Sequence, residues 1–206
     1  MPDFELENQQ EGIVCGIDEV GRGPLAGPVV AACVHIPKDI RIHAFISDIK
    51  DSKKLSKKKL SSLYDDITTH CIWSISVISP AIIDEINILQ ASLKAMKNAC
   101  TSLPITVDTA LIDGNRLPKD MPCPARSIVK GDDKSTSIAA ASIVAKVTRD
   151  LIMQDLDRQH PHYGWAQNAG YPTEQHRKAI LKYGITPHHR TTFAPVRIQL
   201  QTKCTA

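Results

Sequence analysis

Five carboxylates in this chain stand where short apolar segments end. Asp18 and Glu19 follow Ile13-Val-Cys-Gly-Ile17, Asp113 follows Thr109–Ile112, and Asp132 with Asp133 follows Arg126–Val129. If those segments are neighbouring strands, their acids converge at one edge of the sheet. Gathered carboxylates repel and raise each other's pKa unless a cation lies among them. Hard oxygen donors suit Mg²⁺ or Mn²⁺, and such ions work on phosphates. Taken singly, an Asp beside a Gly is first of all a turn or cap residue. Recurrence at three segment ends points to chemistry instead.

A second feature lies just beyond the first acidic pair. Gly21-Arg22-Gly23-Pro24-Leu25-Ala26 formally fits the dinucleotide fingerprint, but that motif must open a helix. Here Pro24, Gly27 and Pro28 interrupt the stretch and a β-branched segment follows. The small residues allow close backbone approach to a ligand, and Arg22 offers a guanidinium suited to phosphate. Alone, the same loop reads as a tight hairpin with a surface arginine.

The elements that must position these groups follow from periodicity. Val29–His35 is a second apolar strand flanked by prolines. Ser56 is placed to cap a helix with Leu60, Leu63, Tyr64 and Ile67 on one face. Residues 71–78 alternate as a half-buried strand, and Ser79-Pro80 starts another helix. Leu89, Leu93, Met96 and Cys100 form a further helical stripe. Ser137 to about Gln159 is the longest helical pattern, and Thr173 caps a last helix closed by Gly184. Strands followed by alternating strands and helices predict an α/β layer with a mixed sheet. Residues 1–12 read as a loose leader, 13–160 as the main body, and 161–206 as a helical and loop-like appendage.

Composition narrows the class. The chain has 206 residues, 42% hydrophobic and 23% charged, with a formal net charge of +3. That suits a folded soluble domain and permits a polyanionic partner without requiring one. The six cysteines, at 15, 33, 71, 100, 123 and 204, show no C-x-x-C spacing. Without an apolar leader or a membrane-length apolar run, the expectation is a cytoplasmic protein with reduced thiols.

Gly16-Ile-Asp-Glu-Val-Gly-Arg-Gly-Pro-Leu-Ala-Gly-Pro28 resembles the opening signature of the ribonuclease HII family. Later segments are similar in the same order. They are Asp51-Ser-Lys-Lys-Leu55, Ile88-Leu89, Leu111-Ile-Asp-Gly-Asn115, Lys130-Gly-Asp132 with Lys134-Ser135, Ile138–Asp150, Tyr163-Gly164, Gly170-Tyr-Pro-Thr173 and His188-His-Arg190. The resemblance runs from about residue 12 to about 197. It implies a ribonuclease H-like five-stranded mixed sheet flanked by helices, with a small helical C-terminal part. It places the catalytic, metal-holding carboxylates on Asp18, Glu19, Asp113 and Asp132, with Asp133 a solvated neighbour.

The resemblance also implies substrates: RNA–DNA hybrids and duplex DNA containing ribonucleotides. Gly21, Arg22 and Gly23 are expected at the sugar-phosphate, and Tyr171 beside the 2′-hydroxyl with its ring on the following deoxyribose. Two Mg²⁺ or Mn²⁺ ions about 3.5–4 Å apart are expected to activate water and stabilise the leaving 3′-oxygen. The products would be a 5′-phosphate and a 3′-hydroxyl. Lys53 is the first candidate phosphate contact, with Lys54 and Lys57–Lys59 open, and Arg190 belongs to a second basic cluster. His188 and His189 point to opposite faces of an extended chain, which disfavours a shared metal. A monomer with no obligate protein partner is expected. The rival readings are a metal-dependent DNA nuclease of the same fold, such as a resolvase or integrase, and a binding module without chemistry. A pure binder gains nothing from an acidic cluster, which repels phosphate.

Overall fold

The computed structural model describes residues 1–204. A short helix α1 (Glu5–Asn8) leads into strands β1 (Val14–Val20) and β2 (Val29–His35). Helix α2 (Lys57–His70), strand β3 (Ile72–Ile78) and the long helix α3 (Pro80–Thr101) follow. Strands β4 (Thr109–Asp113) and β5 (Ala125–Ile128) precede α4 (Thr136–Gln159). The chain ends in α5 (Trp165–Asn168), α6 (Glu174–Tyr183) and α7 (Ala194–Cys204). Thr205, Ala206 and the Cys204 thiol lie outside what is described.

The five strands form one mixed sheet in the order β3-β2-β1-β4-β5. β1 and β3 run antiparallel to β2, while β1–β4 and β4–β5 are parallel. Helices cover both faces. Ala31 and Cys33 pack with Cys15, Ile17, Ala110 and Ile112 under α3, whereas Val30, Ala32 and Val34 pack with the alanines of α4 and with α2. A strand covered on both sides reads as one apolar run, which is why VVAACVH shows no polar alternation.

Helix starts follow the capping rules. The hydroxyls of Ser56, Ser79, Ser135 and Thr173 accept from the amides of Lys59, Ile82, Ile138 and His176. The N-cap of α4 is thus Ser135, two residues before the expected start. α4 lies very close to the sheet. A side chain on Gly16 would overlap the backbone of Ser137 and Ile138, so this position excludes even a methyl group. α3 is broken at Asn87 (φ 64°, ψ 164°), whose Oδ1 accepts from Leu89 and Gln90 and restarts the helix. From there Met96 and Cys100 are buried while Leu89 and Leu93 stay partly exposed.

Two expectations are corrected. β1 does not stop before the acidic pair: Asp18 and Glu19 lie within it, paired across from Ala32 and Ala31. The leader is not loose either. Glu7 is buried, and its Oε1 accepts from Ser135 Oγ (2.7 Å), Ser137 N (2.9 Å) and Ser137 Oγ (2.7 Å). The start of α4 presents unpaired N–H groups, and a carboxylate there is favoured by both hydrogen bonding and the helix dipole.

The C-terminal elements share a core with the loop after β1. Leu25 and Ala26 pack with Met153, Tyr163, Trp165, Ile180 and Val196. Among the described residues no helix is long and apolar enough to cross a membrane.

Candidate active site

Parallel pairing sets Ile17 beside Ile112, so Asp18 and Asp113 emerge side by side from the two central strands. Alternation gives them the α4 face, since Leu111 packs with Val14 and Ile138 there. Glu19, one residue on, takes the α3 side. Asp132 arrives from a separate turn. Lys130 adopts a left-handed conformation (φ 55°, ψ 50°), and Gly131 donates its amide to Asp113 Oδ1 at 2.7 Å. That hydrogen bond ties the turn carrying Asp132 to the end of β4.

The electrostatics record the crowding. The Asp18 carboxyl is raised well above its ordinary value by burial, then by the charges of Glu19, Asp113 and Asp132, although the Glu19 amide donates to it at 2.7 Å. Glu19 is pushed up to about 7 by burial, against the pull of Arg22, whose Nη1 lies 3.3 Å from Glu19 Oε1. Asp132 is raised by burial and by Asp113 and Asp51, with Lys53 opposing. Among the described residues no three carboxylate oxygens close to within 4.8 Å of one another. The acids lie near enough for Glu19, Asp113 and Asp132 each to raise Asp18, without three of them closing to that distance. Glu19, Arg22, Asp113 and Asn115 border a cleft of about 110 Å³.

The glycine-rich loop is built from behind. Arg190 is fully buried and donates through Nη2 to Gly21 O (2.6 Å) and Gly27 O (2.9 Å), through Nη1 to Arg22 O (3.0 Å) and through Nε to Gly27 O (3.0 Å). Arg149, also buried, donates to Pro28 O (2.9 Å), Ala169 O (2.9 Å) and Ala26 O (3.1 Å). Burial, then repulsion from Arg149, lowers the Arg190 guanidinium to about 9, which leaves it charged at neutral pH. The expectation that Arg190 contacts substrate is therefore corrected. Arg190 is buried with four of its five donors on the loop's carbonyls, and it braces the loop instead. The sequence alone marked the cluster as basic but gave no sign of burial.

Tyr171 stands where the loop can feel it. Its side chain is 46% exposed, and a Cβ on Gly23 would meet Tyr171 Cε1 at 3.3 Å. Leu25 N donates to Gly170 O at 2.8 Å, stitching the two segments together. Behind Tyr171 runs a chain of neutral imidazoles. Thr186 N donates to His189 Nδ1 (3.0 Å), which fixes the proton on His189 Nε2. That nitrogen donates to His176 Nε2 (3.2 Å), which also accepts from Trp165 Nε1 (3.0 Å), and His176 Nδ1 donates to Tyr171 O (3.0 Å). His188 lies apart, its ring 5.3 Å from that of His160. His176 and Arg149 were not singled out from sequence. Arg149 fell within the Ile138–Asp150 motif, whereas His176 lies three residues beyond Gly170–Thr173 and no motif marked it.

Among the basic residues, Lys53 Nζ lies 3.9 Å from Asp132 Oδ2 and is mostly exposed, beside the acids. Lys54 pairs with the exposed Asp133, which accounts for that second aspartate without a place among the other four.

Comparison with known proteins agrees with this geometry. The family model described as Ribonuclease HII matches residues 15–196. A ribonuclease HII of Magnetococcus marinus is 50% identical over 204 residues, covering 95% of this chain and 94% of that one. The ribonuclease H2 structure from Pyrococcus horikoshii superposes with a TM-score of 0.79 at 26% identity, over 95% of this chain and all of that one. A Bst-RNase HIII solved in complex with Mn²⁺ shares the fold, with a TM-score of 0.76 at 19% identity over 98% of this chain and 74% of its own. A ribonuclease H-like sheet, acids gathered where its central strands end, and a relative sharing half its residues end to end lead to one conclusion: this chain belongs to the ribonuclease HII family, nucleases that hydrolyse the RNA strand of RNA–DNA hybrids.

Proposed function

We propose that this enzyme cuts the phosphodiester on the 5′ side of a ribonucleotide, including a single one embedded in duplex DNA, leaving a 5′-phosphate and a 3′-hydroxyl. The observation that carries the proposal is the half-exposed Tyr171, tied beside the Gly21-Arg22-Gly23 loop by the Leu25 N to Gly170 O hydrogen bond, with its ring next to the space that a Cβ on Gly23 would enter. Arg190 holds the Gly21 and Arg22 carbonyls from behind, while Arg22 and Gly23 themselves are exposed. A ribose 2′-hydroxyl is the one group that separates RNA from DNA at a given sugar. Tyr171 and the loop supply the hydrogen bonding for it, and the phenol ring offers a face for the next sugar.

The donor set fits hard divalent cations. Asp18, Glu19, Asp113 and Asp132 offer oxygens only, and the crowding that raises Asp18 is what a cation among them would reverse. Those four residues would hold Mg²⁺ or Mn²⁺, two ions being expected. When bound, the metal would activate water and neutralise charge at the leaving oxygen. The chain's own residues orient the strand. Arg22 lies at the lip of the cleft against Glu19, and Lys53 stands over Asp132, both placed for backbone phosphates. These contacts position the duplex without reading its sequence.

The test is a duplex carrying one ribonucleotide, assayed with and without Mg²⁺ and with the cut mapped to the nucleotide. Cleavage 5′ of the ribose with metal, and none on the all-DNA duplex, is expected. Cutting of all-DNA duplex at a similar rate would assign the site to a DNA nuclease instead.

A further inference from the structure

Away from the carboxylates, four cysteines from four separate segments meet in the core under α3. Cys15 on β1, Cys33 on β2 and Cys100 in the last turn of α3 are buried, and their sulfurs lie within 4.8 Å of one another. Cys123, in the irregular stretch between Pro122 and Pro124 that leads into β5, is only partly buried, and its Sγ lies 4.0 Å from Cys100 Sγ. Cys100 is the common neighbour of the other three. We propose that Cys100 and Cys123 form a reversible oxidation site, a dithiol that a hydroperoxide converts to a disulfide.

The surroundings favour a neutral product. Apolar side chains of Ile17, Ala31, Ala99 and Ala110 line the cluster, and the charge felt at Cys123 beyond the cysteines is the carboxylate of Asp108. A divalent ion held by four thiolates would leave a net negative charge in that setting, at high cost. A disulfide leaves none. The arrangement also selects the reactive sulfur. A thiolate at Cys100 can accept S–H hydrogen bonds from Cys15, Cys33 and Cys123, which lowers its pKa although burial opposes. The same cluster holds Cys15 and Cys33 as thiols, and burial with the neighbouring Cys100 charge holds Cys123 as one. The thiolate is the nucleophile in such chemistry.

The steps balance. The Cys100 sulfur attacks the near oxygen of the hydroperoxide; an S–O bond forms, the O–O bond breaks, and the departing alkoxide or hydroxide takes a proton. Cys123 Sγ then attacks Cys100 Sγ; the S–S bond forms, the S–O bond breaks, and hydroxide leaves with the Cys123 proton as water. Two thiols are oxidised by two electrons and the peroxide is reduced to water and an alcohol, or to two waters. Cys15 and Cys33 are fixed within paired strands, whereas Cys123 lies on a segment outside the sheet and can close on Cys100. A dithiol reductant reverses the link.

The experiment treats the native chain with limiting hydrogen peroxide, blocks free thiols with iodoacetamide and maps the peptides by mass spectrometry. The expected product joins Cys100 to Cys123, lighter by two hydrogen atoms and restored by dithiothreitol. In Cys123→Ser the reaction stops at a Cys100 sulfenic acid that dimedone traps. In Cys100→Ala, Cys123 stays reduced at the same dose. Circular dichroism confirms that each variant is folded, and the wild-type map stands if one is not. Cys100 remaining reduced at a dose that oxidises free cysteine, or linkage through Cys15 or Cys33 instead, would overturn the proposal.

Discussion

Arg190 reaches back to Gly21 and holds its carbonyl oxygen at 2.6 Å through a guanidinium that never meets solvent. The same fork grips Arg22 and Gly27, so the loop takes its shape from a residue that is buried and commits four of its five donors to loop carbonyls.

Arg190→Lys should therefore damage the loop more than the fold. A lysine offers its three donors from a single atom and cannot reproduce the planar fork that spans the three carbonyls from three nitrogens, and each buried carbonyl left unpaired costs about 1–3 kcal/mol. A fall in melting temperature of several degrees is expected, together with at least a tenfold loss of kcat/KM on a single-ribonucleotide duplex. Binding of Mn²⁺, followed by calorimetry, should change little. Equal losses in metal binding and in cleavage would mean that Arg190 supports the whole domain.

Asp18→Asn and Asp113→Asn should each abolish cleavage while duplex binding persists. Removing one charge relieves its neighbours, so Asp18→Asn should melt at or above the wild-type temperature without metal. It should also lose most of the stabilisation that Mg²⁺ or Mn²⁺ confers on the wild type. Scanning calorimetry with and without metal tests both statements. Near-normal turnover in either variant would remove these residues from the reaction.

Tyr171→Ala should lower cleavage at a single embedded ribonucleotide by about 10²-fold, on the scale of one lost positioning contact, with metal affinity unchanged. Tyr171→Phe keeps the ring and loses the hydroxyl, so it isolates the hydrogen bond. Rates on the embedded ribonucleotide against a long hybrid give the readout. A uniform loss on both substrates would make Tyr171 a packing residue.

The imidazole chain behind Tyr171 predicts a pH effect on stability. Burial, then the charge of His176, lowers His189 to about 3, and burial lowers His176 as well. Their folded pKa values lie below the unfolded value of 6.5, so the unfolded chain binds more protons once the pH drops under it. Stability should be full above that point and lost progressively as pH falls toward 3. Each histidine contributes at most about 1.4 kcal/mol per pH unit. His189→Gln cannot be protonated, so its melting temperature should fall less steeply between pH 6.5 and 4.5. Parallel curves for variant and wild type would refute the assignment.

Gly16→Ala should be among the most damaging small substitutions. The added methyl group would overlap the backbone of Ser137 and Ile138, which neither strand nor helix can relieve cheaply. A loss of about 1–3 kcal/mol or more is expected from urea unfolding.

What could be read beforehand divides along a physical line. Strand and helix positions were legible because apolar periodicity and capping serine or threonine residues are local signals, and Val29–His35 matches its strand end to end. The acids were legible because their types and their places beside apolar runs are local too. Arg190 and Glu7 were misjudged for a shared reason. Each is a charged residue whose burial is compensated by partners more than a hundred positions away. No window of sequence contains both ends of such a bond. The meeting of Cys15, Cys33 and Cys100 was hidden likewise, since strand pairing and helix packing rather than spacing bring them together.

The long reach of Arg190 has a consequence for synthesis. Gly21 precedes it by 169 residues, and all four carboxylates also come before it in the chain. A growing polypeptide could assemble its acidic strand ends well before the segment that braces the Gly21–Gly27 loop has been made. Fragments released before residue 190 would carry the strand-end acids without the guanidinium that braces the loop beside them.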